Sequence, residues 1–186
     1  MFGINGLLYI PQYISQTHHD KLIKTIDEQP WRGDLARHTQ HYGYVYDYRA
    51  KAVDKSMRLG EIPDWLNRIA QHLHYDGLFP KLPDQAIINE YMPGQGIANH
   101  ADSASSFGEV VTSLSLASSV VMEYKKDNEV VPILLEPRSL VVMRGVARYE
   151  WTHGISKRKQ DLYNDQTIMR ERRLSITFRT VNLSGN

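Results

Sequence analysis

The sequence predicts a mainly β protein: an antiparallel sandwich or barrel of the jelly-roll kind, with supporting helices at its N-terminal end. Two observations carry this. From Gln85 onward the chain breaks into short runs rich in Val, Ile and Leu, separated by Gly, Pro, Asn and Asp. Helical periodicity, by contrast, is confined to the first part of the chain. At 186 residues, 41% hydrophobic and 23% charged, the chain suits one soluble globular domain with a sizeable core.

Residues 1–14 read as an opening strand and turn. Ser15 is placed to cap a helix running to about Glu28, with Leu22, Ile23 and Ile26 as its apolar stripe and Pro30 as its stop. In the segment Arg37 to Tyr48, Tyr42, Tyr44, Tyr46 and Tyr48 alternate with other residues, which predicts a ribbon with one tyrosine face. Those rings either cover a sheet or line a substrate cleft. A second helix is expected from Pro63 to about Tyr75, with Trp65, Ile69 and Leu73 on one face. Leu78 to Pro83 is a connector. The strands expected are Ala86–Met92, Val110–Leu116, Val120–Tyr124, Val130–Leu135, Ser139–Met143 and Leu174–Val181. Ser156 to Arg172 is charged and without period, and is expected to be mostly a solvated loop.

Several functional classes fall away on composition. With no cysteine there is no disulfide framework, zinc–thiolate site or thiol nucleophile, so any metal must sit on His and carboxylates. The net charge of +1 does not decide for or against nucleic acid. The start of the chain lacks a basic region before its apolar residues, and no apolar run approaches the roughly 18 residues of a membrane helix. The expectation is a cytoplasmic protein without membrane contact. No obligate protein partner is evident.

The chemistry gathers around Ile88 to Asp102. A strand, a Pro93-Gly94 turn and then His100-Ala101-Asp102 follow one another. Residues separated by one position on an extended chain point the same way. His100 and Asp102 thus supply two members of a 2-His-1-carboxylate triad, which holds non-haem Fe(II) with positions left open. His153, in Trp151-Thr152-His153-Gly154-Ile155, is the candidate third ligand. Near the end, Arg173 and Arg179 share a strand face with Ser175 and Thr177, while Leu174, Ile176 and Phe178 mark the opposite, core face. Two inward-facing cations call for an anion, and a carboxylate suits arginine best; the other reading is edge-strand arginines in water.

The string from Asn89 to Asp102, the segments Ser113 to Leu116 and Pro137 to Gly145, the Trp-x-His-Gly-Ile element and the closing Arg-x-Ser-x-Thr-Phe-Arg together resemble the AlkB-like Fe(II)/2-oxoglutarate-dependent dioxygenases. The match covers about residues 85–181 in order; residues 1–84 resemble the family's N-terminal part more loosely. The resemblance implies a double-stranded β-helix (jelly roll), with 85–181 as catalytic core and 1–84 as helices and substrate lid. It makes His100, Asp102 and His153 the catalytic iron ligands, with 2-oxoglutarate and O2 as co-substrates. Arg173 becomes the clamp on the distal carboxylate of 2-oxoglutarate, and Arg179 lies near its iron-chelating carboxylate. Asn89 and Tyr91 take co-substrate positions, and Ser175 stands where some members carry a larger amide. The implied reaction is oxidative demethylation or hydroxylation of a modified base in DNA or RNA, single-stranded or flipped out of the duplex. Arg37, His41, Tyr42 and Tyr44 are the candidate substrate contacts. Lys157-Arg158-Lys159 and Arg170 to Arg173 are either phosphate contacts or a solvated charged loop. One departure stands out: repair members often carry an acidic residue two positions beyond the iron-binding Asp, and here that position is Ala104. The alternatives are an oxygenase of a protein side chain or small molecule, and a jelly-roll binding module without turnover.

Overall fold

Ser15 does start a helix, its hydroxyl accepting from the backbone N–H of His18 at 3.2 Å. In the computed structural model, which describes residues 2–33, 35–47 and 52–183, β1 (Leu7–Ile10) precedes that helix, α1 (Gln16–Asp27). After β2 (His38–Tyr42) comes α2 (Asp64–Tyr75), with Pro63 just ahead of its first turn. Both helices bury the predicted stripes, Leu22 and Ile26 on α1 and Ile69 and Leu73 on α2. The strands then follow: β3 (Gln85–Tyr91), β4 (Ile97–His100), β5 (Phe107–Ala117), β6 (Val120–Lys126), β7 (Glu129–Leu135) and β8 (Leu140–Arg144). A short α3 (Gly145–Tyr149) leads into β9 (Thr152–Ile155), β10 (Gln160–Tyr163), β11 (Gln166–Met169) and β12 (Arg173–Val181).

Two antiparallel sheets make the jelly roll. The larger runs β1-β8-β5-β12-β3-β2 and the smaller β4-β9-β6-β7. Strand parity assigns each side chain of the larger sheet to one of two cores. Leu174, Ile176 and Phe178 of β12, with Ala86 and Ile88 of β3 and Leu114 of β5, pack beneath α1 and α2. The other face carries Tyr91, Val111, Val141 and Met143, which meet Met122, Tyr124, Ile133 and Ile155 of the smaller sheet. Each such fully buried apolar side chain contributes about 1.5–3 kcal/mol. Because β12 is a central strand, the alternative of solvated edge-strand arginines at Arg173 and Arg179 falls: both are buried, 2% and 6% exposed.

Two sequence expectations need correction. The tyrosine ribbon stops early. β2 ends at Tyr42 because Gly43 takes a left-handed φ of 76°, and a Cβ there would collide with the carbonyl of Asp84. The turn breaks the alternation, so Tyr42 packs against Trp65 on the helix side while Tyr46 reaches the opposite, inter-sheet side. Tyr48 lies outside the described residues. The second correction concerns Ser156 to Arg172, which is mostly solvent-exposed, as expected, but is not a loop. β10 and β11 form a hairpin whose turn residues Asn164 and Asp165 both have positive φ, the mirror-image turn that suits strand twist. Beneath it Arg170 grips Asp161 through two hydrogen bonds of 2.7 and 2.6 Å, and both residues are buried. Arg158 adds a third at 2.7 Å, and Asp161 also accepts from the Val121 backbone. A buried carboxylate so fully paired is tied to the fold, since losing one partner strands the other charge.

Candidate metal and co-substrate site

β4 and β9 pair with His100 directly opposite His153, and their ring centroids lie 4.5 Å apart. That close pairing depends on Gly154, where a Cβ would run into the backbone of Asn99. The histidine-glycine dipeptide of the sequence is therefore one structural unit. Asp102, just past the end of β4, brings its Oδ2 to 3.7 Å from His153 Nε2. One ligand atom from each of the three residues lies within 4.8 Å of the others. Neighbouring ligands on one octahedral face, each about 2.0–2.2 Å from a metal, sit about 3 Å apart, so small side-chain adjustments close the set on an ion.

The surroundings prepare all three as ligands. The Nδ1 of His100 donates to the carbonyl of Ala98 at 2.9 Å, leaving its Nε2 lone pair to coordinate. Burial depresses His153 to about 4, against the pull of Asp102, so its imidazole is neutral near pH 7. Burial alone would raise Asp102, but Arg179, His153, His100 and Arg148 together outweigh it and hold the carboxyl below its ordinary range. Arg179 donates to Asp102 Oδ1 at 2.6 Å, leaving Oδ2 facing the histidines. The Arg179 guanidinium in turn stacks 3.9 Å over the Phe107 ring. Arg148 of α3, nearly buried, donates to the backbone carbonyls of Asp102 and Ser103 at 2.7 and 3.2 Å, pinning the loop that carries the carboxylate.

The triad opens into a cavity of about 470 Å³ between the sheets. Arg173 forms its other pole. It donates to Ser115 Oγ at 3.1 Å and lies over the Tyr91 ring, but among the described residues no carboxylate meets it, and its buried Nε has no partner. Burial pulls this guanidinium down to about 10. A buried arginine without an acid is costly, and a small dicarboxylate entering the cavity would complete it. The site thus fits a metal at one end and an anion at the other.

The remaining predicted residues divide. Asn89, Tyr91 and Ser175 line the cavity beside Arg173. Asn89 also accepts from Arg37 Nε at 2.8 Å, and Arg37 borders the cavity with Leu35 and Tyr46. Tyr42 does not border it: its hydroxyl donates to Gln40 and its ring belongs to the helix-side core. Tyr44 and His41 are also absent from the cavity wall; Tyr44 bridges to Arg58, and His41 is buried opposite Ile87. Of the basic clusters, Lys157 and Lys159 are exposed, while three arginines are engaged internally. Arg158 and Arg170 are spent on Asp161, and Arg172 holds Glu90 and Asp27 at 2.6 and 2.5 Å. Sequence reasoning missed Tyr124, Arg148 and Phe107. Tyr124 shares strand parity with Met122, but only its pairing opposite His153 shows that it faces the site.

Comparison with known proteins agrees with this geometry. The 2OG-Fe(II) oxygenase superfamily model matches residues 6–179. The uncharacterized protein L905 of Acanthamoeba polyphaga mimivirus is 37% identical over 183 residues, covering 96% of this chain and 86% of its own length. The Xenopus tropicalis tRNA (carboxymethyluridine(34)-5-O)-methyltransferase alkbh8 is 36% identical over 95% of this chain, which spans only 32% of that enzyme. The Arabidopsis thaliana alkylated DNA repair protein ALKBH8 homolog is 32% identical over 96% of the chain and 59% of its own length. The solved structure of OsALKBH1 superposes with a TM-score of 0.70 at 18% identity, covering 94% of this chain and 96% of that one; this is a likeness of fold. The family is one of oxidoreductases that use Fe(II), 2-oxoglutarate and O2. The chain belongs to the 2OG-Fe(II) oxygenase superfamily, as an AlkB-like member.

Proposed function

We propose that this chain oxidises a modified nucleobase of nucleic acid, with His100, Asp102 and His153 holding Fe(II) and Arg173 anchoring 2-oxoglutarate. The observation that carries the reading is the single cavity joining the three ligands to a buried arginine that meets no acid among the described residues. Bound there, Fe(II), 2-oxoglutarate and O2 supply oxidative decarboxylation to succinate and carbon dioxide, coupled to oxygen insertion at a substrate C–H bond. The chain's own work is positional. Arg179 orients Asp102, Arg148 fixes its loop, and Ala98 selects the tautomer of His100. Asn89 and Tyr91 flank the co-substrate on the β3 side, while Ile97, Met122 and Val111 keep the cavity largely apolar and exclude water. No side chain is needed as a general base.

Relatives named for tRNA and for alkylated DNA support a nucleic-acid substrate. Ala104, in place of the repair members' acidic residue, favours tRNA or protein over alkylated DNA. Arg37 and Tyr46 at the cavity are suited to hold a single exposed base, whereas Arg158, Arg170 and Arg172 are paired internally and of the basic clusters Lys157 and Lys159 stay exposed. That pairing also favours a second reading, an oxygenase of a protein side chain or small molecule. The two separate in one assay: succinate release with Fe(II) and 2-oxoglutarate, in the presence of tRNA carrying carboxymethyl-modified uridine at position 34, methylated single-stranded DNA, or neither. Modified tRNA is expected to raise succinate release about tenfold or more over the uncoupled rate, an increment of about 1.4 kcal/mol in barrier. Equal rates in all three would overturn the nucleic-acid reading and leave the second.

A further inference from the structure

Tyr124 is a cavity feature that neither the triad nor the arginines explain. Its register partner is His153, so its side chain enters the space between the sheets on the same side as that ligand, and the two rings lie 6.0 Å apart. Met122 points the same way, whereas Val121 and Glu123 face the other side of the strand. The Tyr124 side chain is among the largest that are fully buried, yet its hydroxyl has no hydrogen-bond partner among the described residues. A phenylalanine would fill the same space without stranding a polar atom, so the hydroxyl is costly unless a ligand meets it. A phenol keeps its proton near pH 7, so this hydroxyl has a hydrogen bond to donate. Arg173 lines the same cavity. Arg173 carries the matching deficit in its unpartnered Nε. Three lining residues carry an orphaned donor, but Arg179 is already bonded to Asp102, so Tyr124 and Arg173 are the pair left to fit one acceptor group with two oxygens.

We propose that the Tyr124 hydroxyl donates a hydrogen bond to the far carboxylate of 2-oxoglutarate, sharing that group with Arg173. The proposal rests on the oxygenase reading above and adds a binding residue to it. The test is Tyr124→Phe, compared with the wild type by calorimetric titration of Mn(II)-loaded protein with 2-oxoglutarate and with 2-oxobutanoate, which keeps the keto-acid end but lacks the far carboxylate. The variant is expected to bind 2-oxoglutarate about tenfold more weakly, the scale of one hydrogen bond to a charged group. Its affinity for 2-oxobutanoate should change by less than about twofold, because that ligand never reaches the hydroxyl. Without ligand the variant should melt at the same temperature as the wild type or higher, since an unpaired polar atom has been removed. Unchanged 2-oxoglutarate affinity, an equal loss for both ligands, or a lower melting temperature without ligand would each overturn the assignment. Those results leave the oxygenase reading intact, whereas a wild type that binds neither ligand sinks both.

Discussion

Arg173→Met is expected to weaken 2-oxoglutarate binding by two to three powers of ten. The residue is 2% exposed, bonds only Ser115 and the face of Tyr91, and meets no acid among the described residues. A carboxylate brought into that pocket loses its water, and without the guanidinium it is left as an uncompensated buried charge. Breaking such a pair costs about 3–5 kcal/mol, which is a factor of roughly a hundred to several thousand in affinity. Methionine keeps most of the volume, so cavity formation contributes little. The unliganded protein should respond with the opposite sign. Burial already opposes the charge on Arg173, so replacing it with an apolar chain is expected to leave the melting temperature unchanged or raise it. Calorimetric titration and thermal denaturation of the same two proteins check both signs. An unchanged 2-oxoglutarate affinity would place the anion site elsewhere.

His100→Ala carries the second large effect, on the other pole of the cavity. His100 sits at the end of β4, part-exposed, and its hydrogen bond goes to Ala98 on its own strand. Its loss should therefore cost little stability, within about 1 kcal/mol. The remaining pair, Asp102 and His153, offers an ion only two protein ligands. Turnover is expected to fall below detection, and bound metal to drop from one per chain to a small fraction. His153→Ala is the less clean variant, because that ring is buried against Tyr124 and its removal opens a void. Metal content after gel filtration, with a melting curve as the folding control, reads the outcome. Retained succinate production by His100→Ala would contradict the ligand assignment.

Much of this architecture was legible along the chain because its signals are local. Ser15 marks its helix, and the alternation of Leu174, Ile176 and Phe178 against Arg173, Ser175 and Arg179 marks both faces of β12. His100-x-Asp102 was readable for the same reason, since strand parity is a short-range rule, whereas His153 was a candidate whose place opposite His100 depends on Gly154 meeting Asn99 across the sheet. What escaped notice depends on pairing across sequence distance. The register that sets Tyr124 opposite His153 is invisible from either strand alone. Asp161 and Arg170 looked like members of a charged loop because nothing local says that they will be buried together. The Asn164-Asp165 turn was the one available clue, a residue pair that tolerates the left-handed conformations of a tight hairpin. The tyrosine ribbon failed in the opposite way: an unbroken period-two pattern ran through Gly43, whose backbone turns the chain and sends Tyr42 and Tyr46 to different sides.

The most direct measurement is an anaerobic titration of the wild-type protein with 2-oxoglutarate, made once with Fe(II) present and once without. With a keto-acid end on the metal and a far carboxylate on Arg173, the two poles of the cavity act on one molecule. The account predicts one 2-oxoglutarate per chain in the presence of Fe(II) and an affinity at least about tenfold weaker in its absence, the loss of one of two linked attachments. Equal affinity with and without Fe(II) would show that the two poles do not share a ligand, and would contradict it.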